Sequence, residues 1–305
     1  MGPKGEKRKR ILSEKRESEV FLIAITVVWG LTFSLVKESL VELQPFVFMS
    51  YRFWLAFIVT GLFCFKKLRK IDRDMLKAGL LLGVLLYGSY AFQTFGLKYT
   101  SAGNAGFITG LFIVFVPVLS VLFLKHRPDL KSIIAVVVAL VGLGFLSIQP
   151  NFHVNSGDFL VLACALSYSI HIILLDGYVK RYDLMLLTFL QMGFLALGNT
   201  ASGLIFESFV LPRSWIVWLS IIICGVFASA VAFYVQGYAQ RVLTPVRTSM
   251  VLIMEPVFSV LFGIILLGER LSWRGWLGCG IILTGMLLTE IPTDFIRRRG
   301  KEKGA

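Results

Sequence analysis

The sequence predicts an all-α integral membrane protein: ten transmembrane helices built as two inverted five-helix repeats, with the N- and C-termini cytoplasmic. Three observations predict it. Apolar residues make up 56% of the 305 and charged residues only 16%, against roughly 25% charged in a soluble domain; mean hydropathy is +0.78. The apolar residues gather into runs near the about 20 residues that cross a bilayer core about 30 Å thick. The positive charges then fall mostly on one side of the alternation that these runs create.

In order, the runs are 20–36, 46–65, 78–97, 102–124, 133–148, 159–175, 184–206, 215–236, 246–267 and 273–288. They are apolar on all faces, whereas the helices of a soluble protein keep a polar face. The strand-length alternation of a barrel does not dominate in them. Residues 1–19 form a basic, hydrophilic tail, and no small-residue cleavage site follows the first run, so that run is expected to stay in the membrane as a signal anchor. The remaining segments divide into a first repeat at 20–148, an extracytoplasmic linker at 149–157, a second repeat at 158–290 and a basic tail at 291–305. With the N-terminus inside, 25 of the 31 Lys and Arg residues lie in cytoplasmic segments. The others are Lys37, Lys98, Arg213, Arg270 and Arg274 outside, and Arg52 within a span. A net charge of +13 placed this way reads as topogenic or lipid-headgroup contact, so the partner is a bilayer and no nucleic acid. The cell membrane, plasma or inner, is the expected location.

Enzyme chemistry has no visible foothold. Cys64, Cys164, Cys224 and Cys279 fall in four different spans without C-x-x-C spacing, and His126, His153 and His171 form no ligand pair, so no metal and no cofactor is expected. Phosphate loops and G-x-S-x-G elbows are also missing from the sequence.

The chain repeats itself with a period of about 140 residues. Pro-Val-Leu-Ser-Val-Leu-Phe at 117–123 returns as Pro-Val-Phe-Ser-Val-Leu-Phe at 256–262, and Ala91-Phe92 with Gly96 returns as Ala232-Phe233 with Gly237. Five spans per half is an odd number, so the second copy enters the membrane from the opposite side. Such inverted repeats place a solute site near the midplane where the halves meet.

Four features together resemble the EamA-like branch of the drug/metabolite transporter superfamily: Trp29-Gly30 with Lys37, the prolines of spans four and nine, the Leu-Gly-Glu-Arg run at 267–270, and the glycine-rich last span from Gly275 to Gly285. The resemblance covers roughly 19–148 and 156–290. It implies a bundle whose first four spans in each half line a central cavity, with spans five and ten at the edge. It also implies movement of a small metabolite, amino acid or amphipathic compound, often outward. Thr32 stands where the family's Trp-Gly-Ser-Asn pattern carries Asn.

Polar residues inside lipid are expensive and mark candidate sites. Glu255 is about 13–14 Å into its span, close to the midplane. It reads as a proton carrier, as a counter-charge for a cationic solute, or as a hydrogen-bonding partner that offsets the donor lost at Pro256. Arg52, about 9 Å deep, can snorkel, attract an anionic solute or pair with a carboxylate such as Glu255. Aligning the halves sets His171 near Thr32 and Tyr234 opposite Gln93; with Asn104 and the aromatic wall of Trp29 these are the expected cavity residues. Gly30, Pro117 and Pro256 are candidate hinges. Ala135, Ala139 and Gly142 in span five, and Gly275, Gly278, Gly280 and Gly285 in span ten, have the small-residue spacing of close helix packing, which includes a homodimer. Uphill movement would draw on an ion or solute gradient, and a passive facilitator or channel is the competing reading, with an intramembrane enzyme a more remote one.

Overall fold

A computed structural model describes residues 3–100, 102–125, 128–147, 156–268 and 270–290; the side chains of 3–12, 102–104, 107, 146–147, 267 and 289–290 lie outside the description. Residues 149–155 of the expected linker, Glu269 of the Leu-Gly-Glu-Arg run and the basic tail from 291 also lie outside it. The described residues form helices and short connections, without a strand. The helices are α1 (Pro3–Glu42), α2 (Pro45–Cys64), α3 (Arg73–Tyr99), α4 (Ala102–Gly110), α5 (Phe112–Leu124), α6 (Leu130–Ser147), α7 (Ser156–Val179), α8 (Leu184–Phe206), α9 (Trp215–Ile222), α10 (Ala232–Gln240), α11 (Pro245–Leu252), α12 (Glu255–Leu267) and α13 (Trp273–Glu290). A 3-10 segment, Phe65–Lys70, extends α2, and a π segment, Ile223–Val231, joins α9 to α10.

Among the described residues, seven helical stretches are long and apolar enough to cross a membrane: Ser13–Glu42, Pro45–Lys70, Arg73–Tyr99, Ser156–Val179, Leu184–Phe206, Trp215–Gln240 and Pro245–Leu266. Three shorter apolar helices, Ile108–Leu124, Leu130–Phe145 and Trp273–Leu288, occupy the places of expected spans four, five and ten. Side chains such as Leu62, Phe63, Phe206 and Trp215 stand more than two-thirds exposed on the outside of the bundle. In water that surface would be prohibitive; in lipid it is the solvent-facing side.

Three expected spans are interrupted. In the ninth, Pro256 lacks a backbone donor and its ring crowds the Leu252 carbonyl, so α11 ends and the chain tightens through Ile253 and Met254 before α12 begins; Met254 N–H donates to Val251 O at 3.1 Å. In the fourth, the break falls at Leu111, whose N–H donates to Ile108 O at 3.1 Å, and Pro117 sits inside α5. The candidate hinge Pro117 thus lies six residues after this break, inside α5. In the eighth, the π segment inserts wider turns. The first span also differs, because its helix starts at Pro3 and continues through the basic tail.

Polar caps close the helices where the apolar runs stop. Asp72 accepts from Met75 N–H at 2.7 Å to start α3, Thr244 accepts from Arg247 N–H at 3.3 Å beside Pro245 to start α11, and Asp183 starts α8. Asp183 accepts from Met185 N–H at 3.0 Å, Leu186 N–H at 3.3 Å and Lys67 Nζ at 2.9 Å. Burial works to raise its pKa, but the Lys67 hydrogen bond and charge and the two backbone donors outweigh it, so the carboxyl lies below the usual range. That contribution to stability is present above the unfolded-state pKa and is lost as pH falls through the lower folded value. Asp183→Ala is expected to lower unfolding free energy by about 1–2 kcal/mol at neutral pH, checked by denaturation in detergent, with a smaller difference below about pH 4.

The helices pair across the two halves. α1 packs on α12 and α7 on α5; α2 packs on α8, and α3 on α7 and α8. α4 lies against α12 and α5 against α11, so expected spans four and nine run antiparallel. α6 and α13 pack chiefly on each other. A Cβ on Gly142 would meet Ile282 N at 2.7 Å and Gly278 O at 2.8 Å, and one on Gly285 would meet Ala135 O at 3.0 Å. Gly142 and Gly278, and Gly285 with Ala135 and Ala139, therefore meet across spans five and ten within one chain, whereas Gly280 has nothing within 4 Å and Gly275 lies against Leu271. Gly30 is also a contact point in a continuous helix: its Cβ would stand 2.6 Å from Phe258 Cβ and 2.7 Å from Ser259 N. The absence of a side chain there lets α1 meet α12.

One end of the bundle is basic. There Lys67 pairs with Asp183, Arg247 with Glu19, and Arg241 Nε donates to Val179 O at 3.0 Å. At the other end Glu42 accepts from the backbone of Arg213 and Ser214, Glu207 caps Val47 N–H at 3.0 Å, and Thr100 Oγ1 donates to Asp158 at 2.6 Å.

Candidate functional site

A cavity lies between the halves, displaced from the basic end. α1 contributes Trp29, Thr32, Phe33 and Val36, which recur at the three- and four-residue steps of one helical face. α2 adds Phe48, Met49 and Arg52; α3 adds Ser89, Tyr90, Gln93, Thr94 and Leu97; α4 adds Thr109. From the second half come Cys164 and Tyr168 on α7, Phe233 on α10 and Glu255 on α12. The free volume is about 50 Å³, room for about three to five water-sized bodies at about 10–15 Å³ each. Neither α8 nor the α6–α13 pair reaches this cavity.

Arg52 is 4% exposed. Its Nε donates to Ser229 Oγ at 2.8 Å and one terminal nitrogen donates to Tyr90 OH at 3.2 Å, with the Ala228 carbonyl at 3.5 Å. The guanidinium carbon also lies 4.7 Å from the centre of the Tyr90 ring, within cation–π range. Ala228 and Ser229 belong to the π segment, whose five-residue bonding step changes which carbonyls remain open to outside donors. The same Ala228 carbonyl accepts from Trp29 Nε1 at 2.8 Å. Trp29 and Arg52, both from the first half, are therefore locked by one irregular stretch of the second.

Glu255 opens α12 and lines the cavity, half-buried. No ion pair joins it to Arg52 among the described residues. A basic and an acidic side chain, one from each half, thus line the same small space without an ion pair between them. Thr32 Oγ1 returns to Trp29 O at 2.7 Å, and Gln93 Nε2 donates to Thr109 Oγ1 at 3.3 Å. Asn104 lies on α4 with its side chain outside the description.

Two sequence candidates lie elsewhere. His171 is fully buried behind the cavity wall, stacked on Tyr168 with ring centres 6.1 Å apart and bonded through Nε2 to Gln191 at 2.8 Å. Tyr234 packs with Ala78, Leu82 and Leu187, away from the cavity. Sequence reasoning passed over Tyr90, Ser89 and Thr94. The signal was available, because Tyr90, Gln93, Thr94 and Leu97 repeat at one-face spacing, which gathers a hydroxyl, an amide and a phenol on one side of the span. Ser229 gave no signal of its own.

Residues 17–148 and 155–291 match the EamA-like transporter family. The chain is 32% identical over 274 residues to an uncharacterized transporter of Archaeoglobus fulgidus, covering 90% of this chain and 86% of the relative. It is 26% identical over 298 residues to the uncharacterized transporter YcxC of Bacillus subtilis, covering 92% and 95% respectively. A solved crystal structure superposes with a TM-score of 0.74 at 18% identity, over 89% of this chain and 96% of that one, which shows a shared fold.

Proposed function

Because the chain belongs to the EamA-like transporter family, and is a multi-pass protein of the cell membrane, we propose that it moves a small metabolite, amino acid or amphipathic compound by alternating access, in the direction of export. The carrying observation is the cavity at the junction of the halves, with Arg52 from one half and Glu255 from the other on its wall. On this reading Glu255 couples movement to a proton or to solute charge, and the aromatic wall of Trp29, Tyr90 and Tyr168 takes the apolar part of the solute. Arg52, Thr32 and Gln93 contact its polar groups.

The ten spans are α1, α2, α3, α4 with α5, α6, α7, α8, α9 through α10, α11 with α12, and α13. The inverted repeat draws support from reciprocal pairings: span one packs on nine as six packs on four, and span three packs on seven as two packs on eight. The basic end is the cytoplasmic one by charge distribution, so the cavity belongs to the outer half of the membrane.

The test is uptake of a panel of labelled metabolites by the purified protein in liposomes, with and without a proton gradient. Saturable movement of at least one small solute, lost in empty liposomes, is the expected result. Movement of ions at channel rates without saturation would contradict it.

A further inference from the structure

Beneath the cavity, towards the basic end, α7 and α10 are joined by buried polar side chains as well as by apolar packing. Tyr168, which lines the cavity, donates its hydroxyl to Gln236 Oε1 at 3.2 Å; Gln236 Nε2 donates to Gln240 Oε1 at 3.3 Å; and Gln240 Nε2 donates to the Ile172 carbonyl at 2.8 Å. α7 and α10 both run towards the basic end, so this ladder descends from the cavity floor in the direction of Arg241. Both glutamines are 0% exposed. A core built only for stability would fill those positions with aliphatic side chains, since buried amides gain little net energy even when bonded.

A second observation concerns the same region. Four buried side-chain atoms lack a partner among the described residues, and three of them, His171 Nδ1, Asp176 Oδ1 and Thr248 Oγ1, lie on α7 below Tyr168 or on α11 before the break. The fourth, Asn199 Oδ1, is on α8. Buried polar atoms without partners are costly here and would be hydrated if this half opened, so the closed arrangement carries a built-in bias towards opening. The Glu19–Arg247 ion pair joins α1 of the first half to α11 of the second at that end and opposes the bias.

We propose that the Tyr168–Gln236–Gln240 ladder is the closed cytoplasmic half of the solute path. It becomes the wall of the inward-facing cavity and binds uncharged hydrogen-bonding groups of the solute, such as hydroxyl, amide or carbonyl, which an amide serves as both donor and acceptor. Amides do not ionise at physiological pH, so the ladder handles solute and leaves charge to Arg52 and Glu255. The proposal rests on the alternating-access reading, which needs an inner half to open.

The test labels single cysteines in membrane vesicles of defined orientation, with Cys64, Cys164, Cys224 and Cys279 replaced by Ala and an impermeant maleimide as probe. Gln240→Cys reports the ladder and Val36→Cys the outer cavity, each with Arg247 intact and with Arg247→Gln. Loosening the ion pair is expected to raise Gln240→Cys labelling from the cytoplasmic face by about fivefold, the factor an ordinary ion pair gives, and to lower Val36→Cys labelling from outside. A Gln240→Cys that stays unreactive from the cytoplasm in both backgrounds overturns the ladder as a path. If Val36→Cys still responds in that case, alternating access survives with its inner route elsewhere; if neither position responds, alternating access falls too. Amide hydrogen exchange over α10 in protein with Gln236 and Gln240 intact gives the same answer without a substitution in the ladder: faster exchange there with Arg247→Gln supports the proposal, and unchanged exchange overturns it.

Discussion

Glu255→Gln is expected to yield a folded protein that still exchanges solute across the membrane but no longer concentrates it against a proton gradient. The carboxylate opens α12 directly after the break in the ninth span and takes no hydrogen bond among the described residues. A charge in that position is costly in lipid unless it is neutralised. The two ways to neutralise it, a proton or a cationic group of the solute, are also the two ways to couple it to transport. Gln keeps the size and much of the hydrogen-bonding capacity and removes ionisation. Gradient-driven accumulation should fall by about tenfold or more, equivalent to about 1.4 kcal/mol of lost coupling, with exchange changed by less than about threefold. A solute-charge role would show instead as weaker binding of cationic solutes and unchanged handling of neutral ones. Wild-type transport and pH dependence with every solute would leave Glu255 as a structural partner of the Pro256 turn.

Arg52→Met is expected to have an effect of comparable size by a different route. It deletes the donors to Ser229 Oγ of the irregular segment and to Tyr90 OH of α3, in a buried site, and removes the positive side chain from the cavity wall that Glu255 shares. Charge-assisted bonds of this type are worth about 1.5–3 kcal/mol each, so initial transport rates should drop by about a hundredfold and the yield of monodisperse protein should fall. Arg52→Lys keeps the charge without the planar fork and should recover only part of the rate. Combining Arg52→Met with Glu255→Gln should recover folded yield relative to Arg52→Met alone, because no uncompensated charge remains. Equal rates for Arg52→Met and wild type would reduce Arg52 to a snorkelling side chain.

Much of this was legible in the sequence because lipid imposes length and apolarity on every crossing element. Those two constraints mark out the helices, and they leave Arg52 and Glu255 conspicuous as charges at depth. Trp29 and Thr32 followed from their place on the first span. Rotational position was harder to read. A repeat alignment fixes residues along a helix, but a shift of one residue turns a side chain by about 100°. The eighth span shows the consequence. Its π segment, Ile223–Val231, precedes the echo of Ala91-Phe92 and rotates the helix beyond it relative to the matching stretch of the third span. Phe233 lines the cavity at 2% exposure, whereas its counterpart Phe92 is 39% exposed on the outside. Tyr234 is carried off the cavity wall for the same reason, although its counterpart Gln93 is on it. Gly30, legible as a hinge by residue type, serves a close crossing of α1 and α12 that only the packed structure reveals.

Solute counterflow tests the central claim most directly. Liposomes containing the protein are loaded with a saturating unlabelled solute from the transported panel and diluted into a trace of the same solute carrying a label, with no ion gradient. One cavity reached alternately from either side predicts a transient accumulation of label inside above its outside concentration, followed by decay as the unlabelled pool drains. A monotonic rise to equality, unaffected by the internal load, would mean an open pore and would contradict the account.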